Sequence, residues 1–117
     1  ILTSLDDDDF TALGFRDPLE AQVVRLASLC ADAGLDGVVC SAREVSDLRK
    51  RLGNDFALVT PGIRPAGSAS DDQRRVVTPD GALADGASYL VIGRPITAAA
   101  DPASALAVIN ASIGAEA

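Results

Sequence analysis

Residues 37–62 read GVVCSAREVSDLRKRLGNDFALVTPG. The run 37–40 is apolar without alternation, the pattern of a strand covered on both faces. Ser41-Ala42-Arg43-Glu44 has the Ser-x-x-Glu form of a capping box, in which hydroxyl and carboxylate satisfy free N–H groups at a helix start. The helix it opens is expected to run to Gly53, with Val45, Leu48 and Leu52 inward. Ala57–Thr60 is a second apolar strand. Two strands joined by a helix in this way pair in parallel, through a right-handed crossover.

The same punctuation extends outward. Asp17-Pro18-Leu19-Glu20 reads as N-cap, first-position proline and an early acid. The helix after it places Leu19, Val23, Leu26, Ala27 and Cys30 on one face, and Gly34 stops it. Ile1-Leu2-Thr3 reads as a first strand. Downstream of a long loop, Thr78-Pro79 opens a short helix that ends by Gly86, and 89–92 is another apolar strand. Asp101-Pro102 opens the last helix, with Leu106, Ile109 and Ile113 inward and Gly114 at its end. The order is therefore strand, helix, four times over. A (β/α)8 barrel and an open doubly wound sheet both fit, and four βα units are half of a barrel. Both architectures place their sites at strand C-termini, here after Thr3, Cys40, Thr60 and Ile92.

The chain has 117 residues, 48% of them hydrophobic, which suits one globular domain. Its net charge of −7 argues against a nucleic-acid or anionic-membrane partner. No apolar run approaches the roughly 20 residues that span a bilayer, and no signal-peptide pattern opens the sequence. Histidine is absent, and Cys30 and Cys40 form no Cys-x-x-Cys, so no zinc site is expected. The two thiols are read as reduced and buried. Methionine is absent, Lys50 is the only lysine, and the chain opens inside an apparent strand. It is expected to be a fragment or a processed product.

Against this acidic background the positive charges of 59–75, VTPGIRPAGSASDDQRR, stand out. The 61–75 loop is much longer than an ordinary βα loop of about 2–6 residues. It carries Arg64, Gln73, Arg74 and Arg75. Gly93-Arg94-Pro95 follows the 89–92 strand directly. Gly93 permits close approach to the backbone, and Arg94 offers a bidentate fork. Together these describe a phosphate site shared by two neighbouring strand ends. Thr3 and Ser4 end the first strand with hydroxyls, Ser4 reading better as a helix cap. The acids at 6–9 read as a solvated helix start favoured by the helix dipole, not as a metal site. Arg49-Lys50-Arg51 reads as a solvated face at a helix end. No group poised near neutral pH for acid or base work is evident.

VTPGIRPAGSASDDQRR, then TP, ALADGASYLVIGRPIT and AADP, resembles the C-terminal half of the bacterial orotidine 5′-phosphate decarboxylase family. DGVVCSA at 36–42 and LTS at 2–4 resemble it too, so the similarity covers essentially the whole chain. The resemblance implies that 1–117 is the C-terminal half of one (β/α)8 TIM barrel of the ribulose-phosphate-binding type, with the N-terminal half absent. It implies decarboxylation of orotidine 5′-monophosphate to UMP, no metal or organic cofactor, a cytoplasmic location, and a homodimer with sites at the interface. Carried over position by position, Arg64, Gln73, Gly93 and Arg94 match the family's phosphate and substrate contacts, and Thr3 its substrate-contacting threonine. The family's catalytic Asp-x-Lys-x-x-Asp motif belongs to the other half and does not occur here. Lys50, on an outer helix, cannot replace its lysine. The fragment alone is therefore expected to be inactive. Two further readings stay open: a non-catalytic half barrel binding a phosphorylated ligand, and a scaffold in which the open half barrel pairs with a second copy.

Overall fold

The computed structural model describes residues 1, 3–66 and 77–115. Its elements are α1 (Asp7–Ala12), α2 (Leu19–Asp32), β1 (Gly37–Val39), a 3-10 turn (Ala42–Glu44), α3 (Val45–Leu52), β2 (Ala57–Thr60), α4 (Pro79–Ala84), β3 (Tyr89–Leu90), α5 (Arg94–Thr97) and α6 (Pro102–Ser112). The three strands form one parallel sheet in the order β1-β2-β3. The fold is thus α/β with a parallel sheet, as the alternation of elements predicts. Of the expected first strand, Leu2 lies outside the described residues and Thr3 falls in a turn.

Register fixes the two faces of the sheet. Gly37 pairs with Ala57, Val39 with Val59 and Val59 with Tyr89, so these residues share one face. Val38, Leu58 and Leu90 share the other, where Leu58, Val45 and Leu48 are fully buried. Gly37 is where the strands come closest. A Cβ there would meet the Ala57 carbonyl oxygen at 2.2 Å and its Cβ at 2.6 Å, so any side chain at 37 would part β1 from β2.

The capping box forms as predicted: the Ser41 N–H donates to Glu44 Oε2 over 2.9 Å, and both residues are buried. Its first turn is 3-10, and α3 follows. Asp101 caps α6, accepting from the Ser104 N–H at 3.2 Å and hydroxyl at 2.6 Å. The acids at 6–9 behave as a helix start, with Asp6 accepting from the Asp9 N–H at 3.0 Å. At 17–20 the expectation shifts by one residue. Pro18, not Asp17, is the N-cap, and with no side-chain acceptor of its own it caps nothing.

Three expectations are corrected. Leu26 and Leu106, predicted inward, are 41% and 44% exposed. Leu26 lies at the rim of α2's apolar face, in a shallow cavity between α2 and β1 beyond which no further described strand packs. On α6 only Ile109 is buried, and the helix packs against α5 and α4. Arg49 is not a solvated charge. Its Nε donates to the Gly86 carbonyl at 2.7 Å, Nη2 to the Ser88 hydroxyl at 2.7 Å, and Nη1 to the Phe56, Gly53 and Asn54 carbonyls. The fork thus ties the end of α3 to the starts of β2 and β3. Lys50 does face solvent, paired with Asp47 at 2.9 Å, and Arg51 bonds Ser28 on α2.

Candidate phosphate-gripping site

A cavity of about 670 Å³ opens where the strands end. Four sequence-predicted residues line it: Thr3, Arg64, Gly93 and Arg94. Gln73, Arg74 and Arg75 lie outside the described residues.

Each lining residue is placed by a local cause. β2 stops at Thr60, whose hydroxyl donates to the Tyr89 carbonyl at 3.1 Å and ties the end of β2 to β3. Pro61 removes a ladder donor, and Gly62 turns the chain at φ 76°. A Cβ on Gly62 would stand 3.3 Å from the Thr3 side chain, so the turn seats directly on Thr3, which is buried. Ile63 then makes a single parallel bridge to Val77, and the Arg64 N–H donates to the Val77 carbonyl at 3.1 Å. This holds the base of the 61–75 loop against the residues that follow it.

Arg64 is the electrostatic centre of the cavity. It is only 8% exposed. Its Nη1 donates to the Ile63 carbonyl at 2.9 Å, while its buried Nε has no hydrogen-bond partner among the described residues. A buried cation with an unmet donor is costly unless an anion completes it. Across the cavity Gly93 is exposed, with open space where a Cβ would stand. Its carbonyl accepts from the Ile96 and Thr97 N–H groups, folding α5 into one turn that carries Arg94. Two guanidiniums on adjacent strand ends, one buried and one exposed, present planar donor forks of the kind that suit a compact anion.

The rest of the wall escaped the sequence reading. Val39, Val91 and Cys40 supply apolar surface, and Thr97 adds a hydroxyl one turn after Arg94. Only their position at strand C-termini could have flagged them. No lysine or carboxylate side chain lines the cavity among the described residues. The two carboxyls held below their ordinary range lie elsewhere. Asp80 is lowered first by the Thr78 hydroxyl and Asp101 first by the Ser104 hydroxyl, each with help from helix-start N–H groups.

A family model described as orotidine 5′-phosphate decarboxylase / HUMPS family matches residues 1–109. The chain is 59% identical over 113 residues to the orotidine 5′-phosphate decarboxylase of Actinobacillus succinogenes, covering 97% of this chain and 49% of that protein. It is 59% identical over 113 residues to the Rhodospirillum rubrum enzyme of the same name, covering 97% and 46%. Among solved structures, the orotidine 5′-phosphate decarboxylase of Lactobacillus acidophilus superposes with a TM-score of 0.79 at 41% identity, over 98% of this chain and 47% of that one. The chain spans about half the length of the curated relatives it matches.

Proposed function

The chain belongs to the orotidine 5′-phosphate decarboxylase / HUMPS family, and from that premise we propose that it is the substrate-gripping half of an enzyme converting orotidine 5′-monophosphate to UMP in pyrimidine synthesis. Its βα units are read as the C-terminal half of a (β/α)8 barrel. The whole protein is read as a cytoplasmic homodimer. Arg64 carries the reading. Its guanidinium is buried, its Nε is unpartnered among the described residues, and it shares a cavity with Arg94. A phosphate dianion supplies an acceptor for the unmet Arg64 Nε and can accept from Arg94 as well.

In this reading Arg64 and Arg94 hold the phosphate, Gly93 admits it to the backbone, and Gln73 donates its amide. The Thr3 hydroxyl meets the substrate beneath the Gly62 turn. Closure of the 61–75 loop spends phosphate binding energy on assembling the site. When CO2 leaves C6, the carbanion needs a proton. Lys50 points to solvent beside Asp47, so it is no donor for this cavity. The donor is assigned to the Asp-x-Lys-x-x-Asp motif of the other half.

The missing lysine and carboxylates favour one second reading, a half barrel that binds a phosphorylated ligand without turnover. The test is decarboxylation by the purified 117-residue chain, alone and mixed with a separately expressed N-terminal half of the Actinobacillus succinogenes relative, alongside calorimetry with UMP. Activity only on mixing supports the first reading. UMP binding without activity in either sample supports the second. Failure to bind UMP in both samples overturns both.

A further inference from the structure

We infer that Thr97 is a further binding residue of the cavity, its hydroxyl donating to the phosphate that Arg64 and Arg94 are read as holding. The inference rests on that phosphate reading and adds a neutral donor to it. Thr97 lines the cavity together with Arg64, Gly93 and Arg94. It is the last residue of α5, three after Arg94. Side chains three apart on a helix are neighbours on one face. Thr97 is also exposed, so a ligand in the cavity can reach it.

The way α5 starts is what keeps this hydroxyl available. A serine or threonine in a helix commonly donates back to a carbonyl of the turn before it. Three helices here show the habit. Thr11 donates to the Asp7 carbonyl at 2.9 Å, Ser28 to the Val24 carbonyl at 2.9 Å and Ser112 to the Ile109 carbonyl at 2.7 Å. For Thr97 the carbonyl four residues back is that of Gly93. It already accepts from the Ile96 N–H at 2.8 Å and the Thr97 N–H at 3.0 Å. A carbonyl oxygen has two lone pairs, so both are taken. The carbonyl three residues back, that of Arg94, accepts from the Ala98 N–H at 3.0 Å. The Thr97 hydroxyl has no protein partner among the described residues. A hydrogen bond from it to a phosphate oxygen is charge-assisted, roughly twice as strong as one between neutral groups. Arg64 and Arg94 supply the charge, and Thr97 adds a donor without adding another cation.

The experiment is calorimetry with UMP and with uridine on the 117-residue chain and on three variants. Thr97→Val keeps the branched shape and loses the hydroxyl, Thr97→Ala loses both, and Thr97→Ser keeps the hydroxyl. Far-UV spectra check that each variant is folded, and a spectrum altered in Thr97→Val leaves Thr97→Ala to decide. The expected result is that Thr97→Val and Thr97→Ala each bind UMP about 5- to 20-fold more weakly, a charged hydrogen bond reduced by solvent. Uridine binding should not change, and Thr97→Ser should stay within about twofold of wild type for UMP. Unchanged UMP affinity without the hydroxyl overturns the inference and leaves the phosphate reading standing. Equal losses for UMP and uridine overturn it too, because Thr97 then shapes the cavity instead of meeting the phosphate. A loss in Thr97→Ser as large as in Thr97→Val does the same, since the methyl group then carries the effect. A wild-type chain that binds uridine as tightly as UMP removes the phosphate reading, and this inference with it.

Discussion

Arg49 Nε and the Gly86 carbonyl oxygen are 2.7 Å apart, although 37 residues separate them in the chain. The same guanidinium bonds Ser88, whose hydroxyl also accepts from the Leu58 N–H at 3.0 Å. One side chain therefore sets the relative height of β2 and β3, and with it the level at which the Pro61 and Gly93 turns leave the sheet. Hydrogen bonds from a charged group contribute about 1.5–3 kcal/mol each, less where solvent reaches them. Arg49→Ala is expected to destabilise the fold by about 2–4 kcal/mol. Arg49→Lys should recover little of this, because an ammonium cannot reproduce the fork. Urea denaturation midpoints at constant slope are the measurement.

Arg64 exchanges stability for affinity. Its buried, partly unmet guanidinium is unfavourable without an anion. Arg64→Leu should leave the ligand-free chain at least as stable as wild type. It should weaken UMP binding by about 10- to 100-fold, equivalent to about 1.4–2.8 kcal/mol, and leave binding of uridine unchanged. Calorimetry with both ligands, paired with thermal denaturation, tests this.

Gly62 acts on Thr3 by contact. An alanine at 62 must adopt a positive φ and press a methyl against Thr3 at 3.3 Å. Gly53 has a similar φ of 80° but open space beside it. Both alanine variants should lose stability from backbone strain, about 1 kcal/mol or more at 62 and about 1–3 kcal/mol at 53, where ψ is −174°. Only Gly62→Ala should also shift the Thr3 methyl resonance and weaken UMP binding. Equal effects of the two variants on Thr3 would show that the contact carries nothing.

The α6 cap sets an acid limit. The Ser104 hydroxyl, and then its N–H, hold the Asp101 carboxyl below its ordinary value of 3.8. A carboxyl lowered on folding adds stability above its unfolded pKa, and that addition is lost as pH falls through the folded value. Amide exchange in α6 should therefore rise as pH drops below 3.8, after correction for intrinsic rates. Asp101→Asn should remove the pH dependence and keep most of the cap.

What was readable in the sequence was local. The Ser41–Glu44 box involves groups three residues apart, and the Asp101 cap likewise, so spacing alone predicts them. Arg64, Gly93 and Arg94 could be nominated together because parallel strands deliver their C-termini to one side, whereas Thr3, which falls in a turn, was nominated through the resemblance. Arg49 was misread because two of its partners, Gly86 and Ser88, lie 37 and 39 positions along the chain, where no periodicity points. Leu26 and Leu106 were misread for a different reason. Helical spacing says which face is apolar but not whether anything covers it. Gln73 falls outside the described residues, and its role rests on the resemblance.

The contact at Gly37 also has a reading in the gene. Every glycine codon begins with two guanines, and any change at either base replaces the residue or, for one change from GGA, ends the chain. Each replacement drives a carbon into Ala57 at 2.2–2.6 Å, while third-base changes are silent. Codon 37 therefore tolerates drift at its third base alone, and in a saturation library it should be among the most completely depleted positions, although it carries no chemistry.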